Sequence, residues 1–270
     1  MSLTCARRGD NDQPLIFVHG SSGSAASYGA LVDSLAWPGS TWLYDAPGLA
    51  GEEQLFTGSF AERGQSYARA ISERCGTESV RLAGWAMGGV LAVEIARALA
   101  EDGADVRFVG VIDGRAPQPE MKNRPRDAGS MARFFLMSSA RTAGKSAPPI
   151  PDPLNADTIY DALSAADALG AMTSRDLLAR YLAVFSTLAP SFMVHDMKRL
   201  DMDIDVFVSS DEDPSHPKPP TLGWEDVART QHLHSVPGTH FTVLDAAFTA
   251  DLARRMKDAI LARETDALPW

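Results

Sequence analysis

Apolar positions fall into two patterns that alternate along the chain. Short continuous runs, Leu15-Ile16-Phe17-Val18, Thr41-Trp42-Leu43-Tyr44, Ser79 to Ala83 and Val106 to Ile112, have the character of strands buried on both faces of a mostly parallel sheet. Between them lie segments with helical spacing: Tyr28, Leu31, Val32 and Leu35, then Phe60 to Arg74, then Val90, Val93, Ile95, Ala98 and Leu99. Strand and helix in strict succession predict an α/β fold. Its parallel strands are joined by right-handed crossovers, with helices on both faces of the sheet.

The alternation stops at Arg115. From there to about residue 200 the pattern gives only loops and helices. One helix is expected over Met131 to Ser138 and another from near Ser174, carrying Leu177, Leu178, Tyr181, Leu182 and Phe185. Strand patterns return at Ile204 to Val208 and Leu233 to Val236, before a last helix from about Phe241 to Ala262. The chain therefore divides into a core, residues 1–114 and 201–270, and a helical insertion, residues 115–200. Such insertions form lids over sites at strand ends. There is no internal repeat. Pro214 to Pro220 holds four prolines in seven residues and is expected to be a stiff surface loop.

The turn after the third run is Gly84-Trp85-Ala86-Met87-Gly88-Gly89. Gly-x-Ser-x-Gly between a strand and a helix is the nucleophile elbow of α/β-hydrolases. Its small residues permit a strained backbone and close helix packing. The N–H after the nucleophile lies at a helix N-terminus, where it can stabilise an oxyanion. The frame fits here except that Ala86 stands at the nucleophile position, and a methyl group cannot attack a carbonyl.

In such hydrolases an acid and then a histidine follow the nucleophile in chain order. Asp113, at the end of the strand after the turn, and Asp211, after Val206 to Ser209, are both placed to serve, and spacing alone does not choose. Asp113 stands alone, whereas Asp211 lies in the acidic run Asp211-Glu212-Asp213 and looks like part of a solvated loop. His240, in Val236-Pro237-Gly238-Thr239-His240-Phe241, follows the last strand and is the candidate base. His232 and His234 alternate in a strand and are expected to be structural. His195 and His216 are expected to be exposed, and His19 to orient the loop after the first strand. That loop should supply the second oxyanion donor, with Ser21 N–H chosen beside Met87 N–H.

These residues resemble the thioesterase domains that end nonribosomal peptide and polyketide assembly lines, over nearly the whole chain. Phe17-Val18-His19-Gly20, Tyr44-Asp45-Ala46-Pro47-Gly48, Leu82 to Gly89 and Val236 to Leu244 carry the likeness. The resemblance implies an α/β-hydrolase fold, with Asp113 as the acid and His240 as general base. It also implies an acyl or peptidyl substrate delivered on the phosphopantetheine arm of a carrier protein, with release by hydrolysis or cyclisation. Ala86 departs from the pattern. It is either an engineered replacement of serine or a natural loss, and the intact surroundings favour the first. The other candidate functions are an esterase or lactonase acting on free small molecules, and a non-nucleophilic acyl-binding module.

Composition narrows the partners. A net charge of −10, from 25 basic and 35 acidic residues, argues against nucleic acid. Cys5 and Cys75 make no disulfide framework, no metal-ligand cluster is visible, and no run approaches the ~18 apolar residues of a membrane span. A cytoplasmic protein with no cofactor of its own is expected, either free-standing or an excised terminal domain. Between Arg115 and Lys145, the seven basic residues Arg115, Lys122, Arg124, Arg126, Arg133, Arg141 and Lys145 are opposed only by Glu120 and Asp127. This basic half is expected to dock an acidic carrier. Trp85, Phe134, Phe135, Leu178 and Phe185 are the candidate acyl-contacting residues.

Overall fold

The computed structural model describes residues 3–51, 54–213 and 216–266. Seven strands form one sheet in the order β1-β3-β2-β4-β5-β6-β7. They are β1 (Leu3–Arg7), β2 (Asn11–Val18), β3 (Gly39–Tyr44), β4 (Val80–Trp85), β5 (Val106–Ile112), β6 (Leu200–Ser209) and β7 (Ala228–Val236). All neighbours are parallel except β1 against β3. Central β4 is buried from Val80 to Gly84, as a strand covered on both faces must be. The sheet begins earlier than its apolar runs suggest. In β1 only Leu3 is buried, so this antiparallel edge has almost no pattern to read.

Helices α2 (Phe60–Cys75) and α3 (Met87–Glu101) cover one face through Tyr67, Ile71, Val90 and Ile95. Helices α1 (Gly29–Leu35) and α7 (Thr249–Asp266) cover the other through Leu31, Leu35, Leu252 and Met256. The last helix starts later than the periodicity indicates. The Thr242 hydroxyl accepts a hydrogen bond from Thr239 N–H at 2.9 Å, and residues 239–248 run as consecutive turns.

Between β5 and β6 stand α4 (Ala128–Thr142), α5 (Ala156–Ala165) and α6 (Arg175–Met193). Each has a side-chain cap at its start: Asp127 accepts from Ser130 N–H, Asn155 from Thr158 N–H, and Ser174 from Leu177 N–H. The three helices enclose their own apolar cluster, including Leu136, Ile159, Leu163 and Leu178. The C-terminal part of α6 reaches the core, where Phe192 meets Phe60. Among the described residues no helix is long and apolar enough to cross a membrane.

Candidate active site

The ends of β2, β4, β5 and β7 converge on one edge of the sheet, and the turn after β4 occupies its middle. Ala86 has φ +54° and ψ −123°, a region costly to any residue with a Cβ and usually held by its surroundings. Those surroundings are on view. Ala86 N–H donates to Ile112 O at 2.9 Å, and its carbonyl accepts from Gly89 N–H at 3.1 Å. Gly88 allows the next approach, since a Cβ there would lie 2.6 Å from the carbonyl oxygens of Val18 and His19. This close passage brings Val18 and His19, at the end of β2, against the N-terminus of α3. Met87 is the first residue of α3, where an N–H has no partner within its own helix.

Asp113 leaves β5 with φ +46°. Its N–H donates to Phe207 O at 2.8 Å, and the carboxylate is 1% exposed. Oδ2 accepts from His240 Nδ1 at 2.9 Å, and Oδ1 accepts from Ser209 N–H at 2.7 Å and from Lys218 Nζ at 3.2 Å. Burial pushes this carboxyl upward, but the His240 hydrogen bond and charge, the Ser209 N–H and Lys218 outweigh it and hold it well below the ordinary aspartate range. A carboxylate accepts only, so His240 Nδ1 carries the proton and Nε2 is left as the basic nitrogen. Asp211 takes a different partner, the Ser210 hydroxyl.

The imidazole of His240 is fixed on several sides. Trp85 Nε1 donates to the His240 carbonyl at 2.9 Å, with the two rings 5.2 Å apart. Trp85 N–H in turn donates to the Tyr28 hydroxyl, which donates to Val18 O at 2.8 Å. His19 is fully buried, with Nδ1 donating to Gly20 O at 2.8 Å and Nε2 meeting the Tyr67 hydroxyl at 2.9 Å. Burial pushes it down to about 4, assisted by Arg63 and opposed by the Gly20 hydrogen bond.

Two residues that the sequence placed in a surface loop stand at this centre. His216 stacks on His240, with centroids 4.2 Å apart. Burial first, then the positive charges of His240 and Arg115, push it down to about 4. His216 is half-buried rather than exposed. Lys218 donates to Asp113 and to both the carbonyl and the hydroxyl of Ser209. Pro214, at the head of the loop, lies outside the described residues. His195 is also inside the protein, bonded to Glu94 Oε1 at 3.1 Å and packed on Phe60. The only hint in the sequence is that His216 and Lys218 are the two side chains with a polar group among the four residues after Ser215.

A cavity of about 340 Å³ opens beside the turn, between the loop after β2, helices α4 and α6 and the segment joining α5 to α6. Trp85, Phe135 and Phe185 line it, with Ser21 at its edge. Phe134 and Leu178 do not. Phe134 is 38% exposed and meets Phe185 edge to face, while Leu178 is spent inside the apolar cluster of the three helices. Among the described residues no group of histidine, cysteine or acidic side chains could hold a metal ion.

A seven-stranded, mostly parallel sheet with a strained strand–turn–helix at its centre makes this an α/β-hydrolase fold. A model of the thioesterase domain family matches residues 13–260, and the chain belongs to that family of hydrolases. Microperfuranone synthase of Emericella nidulans is 25% identical over 93% of this chain, which spans only 28% of that relative's length. Among solved structures, a four-domain nonribosomal peptide synthetase, AB3403, superposes with a TM-score of 0.83 at 22% identity, covering 96% of this chain and 20% of that one. The Vlm2 thioesterase domain bound with a dodecadepsipeptide superposes with a TM-score of 0.70 at 22% identity, covering 95% and 97%.

Proposed function

We propose that this chain is a carrier-dependent thioesterase domain that releases an acyl or peptidyl chain through a serine–histidine–aspartate relay, and that Ala86 stands in for the serine. One observation carries the proposal: a bonded Asp113–His240 pair beside a strained elbow that has every part but the nucleophile. With a serine at position 86, His240 Nε2 takes the hydroxyl proton as the oxygen attacks the thioester carbonyl. Met87 N–H and Ser21 N–H receive the developing oxyanion. The C–S bond breaks, and the phosphopantetheine thiol leaves with the proton held by His240. Water, or an amine or hydroxyl of the acyl chain itself, then attacks the ester with His240 again as base; the bond from the acyl carbon to the serine oxygen breaks, and that oxygen takes the proton back from His240. Asp113 holds the imidazole in the tautomer this requires. Residues 115–200 serve as the lid over the acyl chain, and their basic half receives an acidic carrier. Free Cys5 and Cys75 suit a reducing cytoplasm.

The protein as it stands binds thioesters without turning them over. The Ala86→Ser protein should gain a rate factor on the order of 10⁶ on carrier-loaded or pantetheine thioesters. Ala86 itself favours a second reading, a module that only binds acyl chains. Binding by the Ala86 protein with no turnover after Ala86→Ser would establish that reading and overturn the first. Turnover of simple esters alone after Ala86→Ser would instead make the chain an esterase.

A further inference from the structure

The cavity lined by Trp85, next to Ala86 in the turn, has a chemical character that the relay does not require. Helix α4 faces it with Phe135, Ser138, Ser139 and Thr142, spaced as i, i+3, i+4 and i+7. That spacing marks a single helix face, which is apolar wherever a helix simply packs on its neighbours. The same helix sends Met131, Ala132, Leu136 and Ala140 into the apolar cluster of the lid, as expected. Its cavity face instead places hydroxyls beyond one phenylalanine. The loop after β2 brings Ser21 and Ser27 to the same space.

These hydroxyls differ in how far they are used. Ser24 serves its own loop, accepting from Ala26 N–H at 3.2 Å, and Thr142 donates back to Ser138 O at 3.0 Å. The hydroxyls of Ser21, Ser27, Ser138 and Ser139 have no hydrogen-bond partner among the described residues. No lysine, arginine, histidine, aspartate or glutamate lines the cavity among the described residues. The remaining wall is largely apolar, with Phe135 and Phe185 packed edge to face.

We infer that this chamber selects acyl chains that are uncharged and carry hydroxyl or amide groups along the part that enters it, and turns away chains bearing a carboxylate or ammonium there. A serine hydroxyl both donates and accepts, so it pairs equally with an alcohol or an amide. It does not neutralise an ion, and an ion moved from water to this wall finds no counter-charge. The inference rests on the thioesterase reading, which supplies the acyl thioester, and adds to it the class of acyl group.

The Ala86 protein is suited to the test, because binding is not followed by release. Pantetheine thioesters of one chain length would be titrated calorimetrically: a plain acyl group, a hydroxylated one, one containing an amide, one ending in carboxylate and one ending in ammonium. The hydroxylated and amide chains should bind about tenfold tighter than the plain chain, the increment of one good hydrogen bond, and the charged chains weakest of all. Replacing Ser138→Ala and Ser139→Ala together should erase the advantage of the hydroxyl and amide chains over the plain chain. Alanine favours the helix, so the fold is not at risk. Ser139→Asp should admit the ammonium chain.

Charged chains binding within about twofold of the plain one, or a preference untouched by the double replacement, would overturn the inference. The Ala86→Ser protein separates this from failure of the underlying reading. If it cleaves all the thioesters without discrimination, it remains a thioesterase and only the selectivity falls. If it cleaves none and the Ala86 protein binds none, both fall.

Discussion

His216 lies nearly parallel to His240, 21° from coplanar and 4.2 Å away between ring centroids. Because burial holds His216 down to about 4, it presents a neutral ring at neutral pH. An imidazolium forming at His240 therefore meets a polarisable surface rather than a like charge. In the Ala86→Ser protein, His216→Phe should keep most of kcat. His216→Lys should lower it by about tenfold with little change in KM, since a like charge opposes the imidazolium. Steady-state kinetics on a pantetheine thioester would show the split. Equal losses in both variants would make the residue a packing element only.

Lys218 shares Asp113 with His240, one on each carboxylate oxygen. Lys218→Met removes a positive charge from that oxygen and leaves Asp113 more negative toward the imidazole. The acidic limb of the kcat/KM–pH profile of the Ala86→Ser protein should then move to higher pH, because the protonated, inactive base is better stabilised. A profile that falls in height without moving would show that Lys218 only anchors its loop.

His19 makes stability depend on pH. Its folded-state value is near 4, against 6.5 for the free side chain, so the unfolded chain binds the extra proton first. Stability is therefore fully present above about pH 6.5 and is lost as pH falls toward about 4, by about 3 kcal/mol for this one group. His216 acts in the same direction. Urea midpoints measured across this range should fall with acidity. His19→Gln, which can still donate to Gly20 O, should flatten the slope.

Gly88→Ala would set a methyl carbon 2.6 Å from two carbonyl oxygens. Overpacking at such a contact costs about 1–3 kcal/mol, and relieving it must push the loop after β2 away from α3. A lowered thermal midpoint is expected. In the Ala86→Ser background, kcat should fall further than KM changes, because the oxyanion donors separate.

Much of this architecture could be read from the chain before any coordinates. Runs such as Leu15 to Val18 are diagnostic because a doubly covered strand must be apolar throughout, and the turn from Gly84 to Gly89 is marked by glycines that its crowding demands. Other elements have weaker physical signatures. Strand β1 buries only Leu3 and is held by pairing with β3. The segment after His240 has helical spacing, yet residues 239–248 run as consecutive turns. Least legible was the return of Lys218 to Asp113, 105 residues away in sequence. Prolines announce a stiff loop but carry no information about where it lands, and only tertiary structure turns His216 and Lys218 into neighbours of the relay.

Reversing Arg124, Arg126 and Arg133 to glutamate tests the basic half of the lid. Lys122 and Lys145 already pair with Asp196 and Asp167, so these three exposed arginines are the sharper probe. In the Ala86→Ser protein, KM for a carrier-loaded substrate should rise several-fold, more at low salt, while KM for the same acyl group on pantetheine should not. Equal values for both substrates would remove the lid from carrier docking.

The conformation of Ala86 has a consequence for how the molecule can be used. Its backbone is bent by Ile112, Gly89 and the neighbouring glycines rather than by anything its side chain does. The methyl carbon therefore occupies the place from which a serine hydroxyl would project. On the proposed relay the protein should act as a silent receptor: it would hold a reactive thioester intact at equilibrium, and its affinities would record the first encounter of the Ala86→Ser enzyme with its substrate, before any bond is made.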